Sequence, residues 1–146
     1  MDILTAMKIS GSALHAERAR LNIAAMNLAN ANTTRTVEGG PYRAKSVIFE
    51  AQPLEERDFG ATLQGAASRL RKVAVVAVVE DRTPFREVHD PGHPDADENG
   101  IVRLPNVNVA EQMVDMMNAR RSFEANVAAL DAVKAMAAKA LEIGHR

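Results

Sequence analysis

The densest set of residues able to do chemistry is the run Asp90-Pro91-Gly92-His93-Pro94-Asp95-Ala96-Asp97-Glu98-Asn99-Gly100. Asp95, Asp97, Asn99 and Gly100 fall at positions 1, 3, 5 and 6 of an EF-hand loop, where oxygen ligands and a tight turn would serve calcium. The pattern breaks at its twelfth position, which needs a bidentate glutamate and holds Asn106, directly after Pro105. The flanking segments also read as strands, whereas an EF-hand needs helices. A transition-metal reading would use Asp90, His93 and Asp95, but a single histidine among prolines lacks a second nitrogen donor at ligand spacing. The alternative is a tight connection in which Pro and Gly set the turn and Asp and Asn side chains bond their own backbone.

Other catalytic patterns are missing from the sequence: it has no Gly-x-Ser-x-Gly elbow, no Walker loop and no Gly-x-Gly-x-x-Gly fingerprint. Cysteine is absent, which removes disulfides, thiolate metal sites and cysteine nucleophiles. His15, on a helix beside Glu17, reads as a surface residue and not as a base. The expectation is a non-enzyme with no cofactor and no metal.

Two long helices must carry whatever this chain does. Asn108 stands where an N-cap belongs, and Glu111 three residues on completes a capping box. From there an amphipathic pattern runs to Gly144, with Val109, Met113, Met116, Phe123, Val127, Leu130, Ala137 and Leu141 at spacings of three and four. Arg120 and Lys134 fill skipped positions. About 35 residues at 1.5 Å rise give a helix of roughly 50 Å. At the other end, residues 3–31 form a helix in which Met7, Leu14, Leu21 and Leu28 recur every seven residues, a heptad seam flanked by Ala6, Ala13, Ala24 and Ala25. Asp2 caps it, and Gly11 predicts either a close approach or a bend.

The helix signal ends in Asn27, Asn30, Asn32, Thr33 and Thr34, whose side chains compete for backbone hydrogen bonds. Gly39-Gly40-Pro41 is a breaker. Tyr42 to Ala51 reads as a strand, Gln52 to Arg71 as a loop, Lys72 to Glu80 as a buried strand, Phe85 to His89 as an edge strand and Ile101 to Leu104 as another. The fold class is therefore mainly α with a small antiparallel β insert, the terminal helices forming a coiled-coil pair. The segments are 1–31, 32–107 and 108–146.

Composition fits this thin architecture. Twenty-six of the 146 residues are alanine and five are aromatic, which favours close helix packing over a thick core. A net charge of -1 gives no basic face for nucleic acid. Ten basic and seven acidic residues up to position 73, against eight and twelve after it, make only a mild dipole. The longest strongly apolar run, Val73 to Val79, is far short of the ~20 residues a membrane helix needs. The N-terminus lacks a basic region followed by an apolar one, so no cleaved secretory signal is expected. A two-helix hairpin leaves half of each seam wet, so the helices are expected to gain order from neighbouring subunits. The expected assembly interface is Met7, Leu14, Leu21, Asn27, Leu28, Asn30 and Asn32 on the first helix, with Met113, Met116, Phe123, Val127, Leu130 and Leu141 on the second.

The stretch Leu21 to Thr34 resembles the N-terminal signature of bacterial flagellar rod and hook proteins. Gly39-Gly40-Pro41-Tyr42-Arg43 and Val47-Ile48-Phe49-Glu50-Ala51 extend the likeness. Asp90 to Gly100, Leu104 to Val109 and Met116 to Val127 narrow it toward proximal rod subunits. The resemblance covers nearly the whole chain. It implies a structural subunit whose terminal helices pack as an inner tube around an export channel and transmit torque. It also implies export by the flagellar type III apparatus to the periplasmic rod. The implied neighbours are copies of itself, other proximal rod proteins, the distal rod and the adaptor at the membrane ring and export gate. A calcium-binding interaction module and a cytoplasmic coiled-coil adaptor are the alternatives.

Overall fold

The computed structural model describes residues 3–54 and 70–144. Helix α1 (Ile3–Ala29) is followed by strands β1 (Lys45–Pro53), β2 (Arg71–Glu80), β3 (Arg86–His89) and β4 (Ile101–Leu104), then by helix α2 (Val109–Gly144). The chain is mainly helical with a small β insert, as its patterning predicts. The strands form two separate two-stranded sheets, β1 with β2 and β3 with β4. The second is antiparallel, with Glu87 opposite Arg103 and Val88 opposite Val102. Contacts divide the chain into one unit of Met1–Ala19, Phe49–Val76 and Ala119–Arg146 and another of Arg20–Ile48 and Ala77–Asn118.

Both helices show the expected two-sided pattern. On α1 the exposed line is Leu4, Lys8, His15, Arg18, Asn22, Ala25 and Ala29, while Met7, Leu14, Leu21 and Leu28 are half-buried. On α2 the sheltered line is Gln112, Met116, Ala119, Phe123, Val127, Leu130, Val133 and Ala137, again at steps of three and four. The most enclosed helical positions are Ala16, Ala24, Asn27 and Ala119. A small side chain at such a point lets another backbone come close.

The helix ends are polar constructions. Asn108 caps α2, its Oδ1 accepting from the amides of Ala110 at 3.2 Å and Glu111 at 3.4 Å. α1 stops two residues earlier than its sequence suggests: the Asn30 amide still donates to the Met26 carbonyl at 3.1 Å, joined by its side-chain Nδ2 at 2.9 Å, but the Ala31 amide donates to Leu28, only three residues back, at 3.3 Å, and closes the last turn.

The strands differ more from expectation. β1 starts at Lys45 rather than Tyr42, because Tyr42 is buried and bonded elsewhere. Phe85 lies outside β3 and stacks under Arg43, whose guanidinium carbon is 4.2 Å from the ring centroid. β2 is a strand but not a buried one: Val73, Val75, Val76, Val78 and Val79 are all exposed, since it pairs with β1 in a two-stranded ribbon that no second sheet covers among the described residues. The reading of 52–71 as a loop, and of Asp2 as a cap, falls mostly outside the described residues.

Gly11 continues α1 without interruption, and a Cβ built on it meets nothing within 4 Å. Gly11→Ala should therefore stabilise the free subunit by about 1 kcal/mol through helix propensity. Denaturant titration by circular dichroism measures this, and no gain would mean that α1 is not helical there in solution.

Candidate assembly interface

The best-defined side-chain constellation lies in the unit of Arg20–Ile48 and Ala77–Asn118, and its hub is Asn27, 1% exposed. Its Nδ2 donates to the carbonyl of Lys45 and to Oε1 of Gln112, both at 2.8 Å. Its Oδ1 accepts from the Tyr42 hydroxyl and from the Lys45 amide, both at 2.9 Å. A primary carboxamide has two donors and room for two acceptor bonds, so every valence is used. One side chain thereby joins the last turns of α1, the approach to β1 and the first turn of α2. Seven residues back along α1, Arg20 meets Asp115 at 3.1 Å and fixes the same pairing of helices a second time.

Asn106 works in the same way. Its Oδ1 accepts from the Ala44 amide at 2.9 Å, and its Nδ2 donates to the Thr83 hydroxyl at 2.8 Å and the Asp81 carbonyl at 3.1 Å. The acidic run Asp90 to Gly100 is a self-bonded turn between β3 and β4. Asp97 Oδ1 accepts from the amides of Asn99 and Ile101 at 2.9 Å each, and Asp90 Oδ1 from Gly92 at 3.2 Å. Gly100 has φ +72°, and a Cβ there would come 2.9 Å from Pro91 Cγ, so glycine is required. Strands flank the turn where the calcium reading needs helices, and one of the two Asp97 oxygens is committed to backbone. Among the described residues no group of three or more His, Cys, Asp or Glu side chains could hold a metal ion.

The residues expected to meet neighbours separate into three groups. Met7, Leu14, Leu21, Leu28, Met116, Phe123, Val127 and Leu130 are half-buried along the helical seams. Asn27 and Asn30 serve the subunit's own framework, Asn30 accepting from the Thr33 hydroxyl at 3.2 Å as well as capping α1. Asn32 is exposed, and Met113 and Leu141 lie off the sheltered line of α2, 49% and 69% exposed. Sequence reasoning missed Tyr42, Gln112 and Asn106 as partners. The available signal was weak: Tyr42 is the only tyrosine and follows a breaker, and Asn106 stood out only as a failed calcium position.

Burial pushes the Tyr42 hydroxyl above its ordinary pKa of 10.0, and the negative charge of Glu80 pushes it further. Both effects keep the phenol protonated and able to donate to Asn27. Among the described residues no helix is long and apolar enough to cross a membrane.

Comparison with known proteins gives a consistent result across the chain. Residues 7–35 match the family described as flagella basal body rod protein, and residues 98–143 match the C-terminal family of flagellar basal body rod FlgEFG proteins. The flagellar basal-body rod protein FlgC of Salmonella typhimurium is 42% identical over 99% of this chain and all of its own length. The FlgC of Escherichia coli O157:H7 is 44% identical with the same coverage. That of Bacillus subtilis is 38% identical over 99% of both chains.

Two measurements test the hub. Asn27→Leu keeps the branching but strands the Tyr42 hydroxyl, the Lys45 amide and carbonyl and the Gln112 carboxamide, so it should cost about 3 kcal/mol or more in chemical denaturation. Because the chain has one tyrosine and no tryptophan, ultraviolet titration reports Tyr42 alone. A phenol whose native pKa is raised stabilises the fold below pH 10 and ceases to do so as pH climbs through the native value. The native midpoint should lie above the midpoint in strong denaturant; equal midpoints would show that the hub is not formed in the free subunit.

Proposed function

The chain belongs to the FlgC family of flagellar basal-body rod proteins, and from that premise we propose that it is a structural subunit of the proximal rod. Its terminal helices pack with those of neighbouring subunits into a tube that surrounds the export channel and transmits torque. The observation that carries this reading is the imbalance of burial. Among the described residues seven apolar side chains are buried, five of them alanine, while nineteen large apolar residues are exposed. A chain that hides so little has most of its hydrophobic stabilisation still to gain, and subunit contacts are where it can be gained.

In this reading the seam residues Met7, Leu14, Leu21 and Leu28 on α1 and Met116, Phe123, Val127 and Leu130 on α2 form the interlocking inner layer. Alanines between them let helix axes approach, and side chains packed at interior density resist twist. The segment 32–107 braces the outside. The subunit reaches the periplasmic rod through the flagellar type III apparatus. Its neighbours are further copies, other proximal rod proteins, the distal rod and the adaptor at the membrane ring and export gate. It performs no catalysis and needs no cofactor. The calcium-module alternative has lost its support, because the acidic turn closes on its own backbone.

A charge placed in either seam should break the assembly without preventing expression. Leu21→Asp or Val127→Asp is expected to abolish swimming in a deletion strain, whereas the wild-type gene restores it, with soluble subunit present in both. Fractionation of the same cells locates the chain: recovery in purified basal bodies supports the rod, and recovery only in the cytosol would favour a coiled-coil adaptor. Normal swimming by both variants would remove the seam assignment.

A further inference from the structure

Of the nine asparagines in the chain only Asn99 is followed by glycine. The pair sits in the turn between β3 and β4, with Asn99 exposed and Gly100 buried. Such a link is chemically vulnerable, because glycine carries no Cβ to shield its own nitrogen from the carboxamide of the residue before it. The Gly100 nitrogen can attack Cγ of Asn99: a new C–N bond closes a five-membered imide, the attacking nitrogen gives up its proton, and the side-chain nitrogen leaves as ammonia. Water then adds to one of the two imide carbonyls and breaks its C–N bond, which leaves aspartate in one case and isoaspartate in the other. Water is the only co-reactant.

The folded turn withholds the nucleophile. The Gly100 amide donates to the Asp97 carbonyl at 2.9 Å, the Asn99 amide donates to Asp97 Oδ1 at 2.9 Å, and the Gly100 carbonyl accepts from the Asp90 amide at 2.8 Å. Gly100 is held at φ +72° with no room for a further atom, since a Cβ there would stand 2.9 Å from Pro91 Cγ and 3.1 Å from His89 Cε1. Ring closure must break the bond to Asp97 and swing the Gly100 peptide out of this enclosure, so it waits for local opening. Isoaspartate, once formed, is incompatible with the same turn. It threads one extra carbon into the main chain ahead of Gly100 and displaces the Gly100 amide and carbonyl by about 1.5 Å, the length of a C–C bond. Hydrogen bonds at these distances do not survive such a displacement.

We propose that Asn99 is a site of spontaneous deamidation which the folded β3–β4 turn shields, so that isoaspartate accumulates in chains left unfolded and then bars them from rebuilding the turn. The loss reaches beyond the turn itself, because Thr34 donates to Asp95 at 2.7 Å and ties the turn to the end of the asparagine-rich stretch. The inference rests on the geometry of the turn and stands apart from the rod reading.

The test incubates the full-length purified chain in mildly alkaline buffer, with and without strong urea. Peptide mass spectrometry with electron-transfer fragmentation should find Asn99 converting first among the nine asparagines in urea. In native buffer its conversion should be slower by about tenfold or more, the factor that one hydrogen bond of ordinary strength imposes. Gly100→Ala, compared with wild type in urea so that its ability to fold does not matter, should convert more slowly. After urea is removed, wild-type chain aged in it should exchange amide hydrogens rapidly over residues 86–104, while unaged chain and aged Asn99→Gln should be protected there. Equal rates in the two buffers would overturn the shield, and Gly100→Ala converting as fast as wild type would overturn the chemistry. Aged wild-type chain that regains full protection would overturn the damage to the turn. The swimming and fractionation outcomes that decide the rod reading bear on none of these.

Discussion

The structure depends on a single buried carboxamide. Asn27 is almost entirely withdrawn from water, and a polar group in that position is tolerable only if each of its hydrogen bonds is replaced. All four are, by Tyr42, by both backbone groups of Lys45 and by Gln112. The consequence is mutual dependence: the Asn27 end of α1, the strand entry and the Gln112 turn of α2 must all be in place, or several groups are stranded together. Aspartate could not substitute, because its carboxylate would face the Lys45 carbonyl and the Gln112 oxygen with no proton to offer.

That dependence matters because the apolar interior is so slight. Alanine seams bring helices close but specify register poorly, since one alanine resembles another and a slip of one turn changes little buried area. Asn27 with Gln112, and Arg20 with Asp115, remove the ambiguity at two points seven residues apart on α1. The Arg20 pair is 39% exposed on each side, so its Coulombic contribution is small, and its value is directional. Buried polar groups elsewhere fix coiled-coil register at some cost in stability, and the same logic applies here. Burial of large apolar groups is deferred, and polar geometry decides which helix turn faces which.

How much of this was legible in the sequence follows from the range of each signal. Both helices, the Asn108 cap and the heptad line of α1 arise from residues within a turn or two, so local pattern suffices. The end of α1 at the asparagine cluster is also local, although the helix closes two residues early, where the Ala31 amide turns to Leu28. The exposure of β2 was not legible, because a valine-rich run looks the same whether a second layer covers it or not. Met113 and Leu141 fit an apolar spacing yet lie off the sheltered line, since α2 carries more apolar residues than one face can hold. The partners of Asn27 lie up to 85 residues away, and no local rule connects them.

The motifs that make the sequence recognisable turn out to be bonded to one another. Thr34, at the end of the asparagine-rich stretch, donates to Asp95 in the acidic turn at 2.7 Å. Tyr42, after the glycine pair, reaches Asn27, and Asn106, beyond the turn, holds Ala44 and Thr83. These residues spend their hydrogen bonds inside the subunit. The division of labour is therefore by chemistry. Directional polar groups build the hydrogen-bonded framework, and the outward valines and methionines, which demand no particular partner atom, take no part in it. A polar framework tolerates few substitutions, whereas an apolar surface accepts many of similar size.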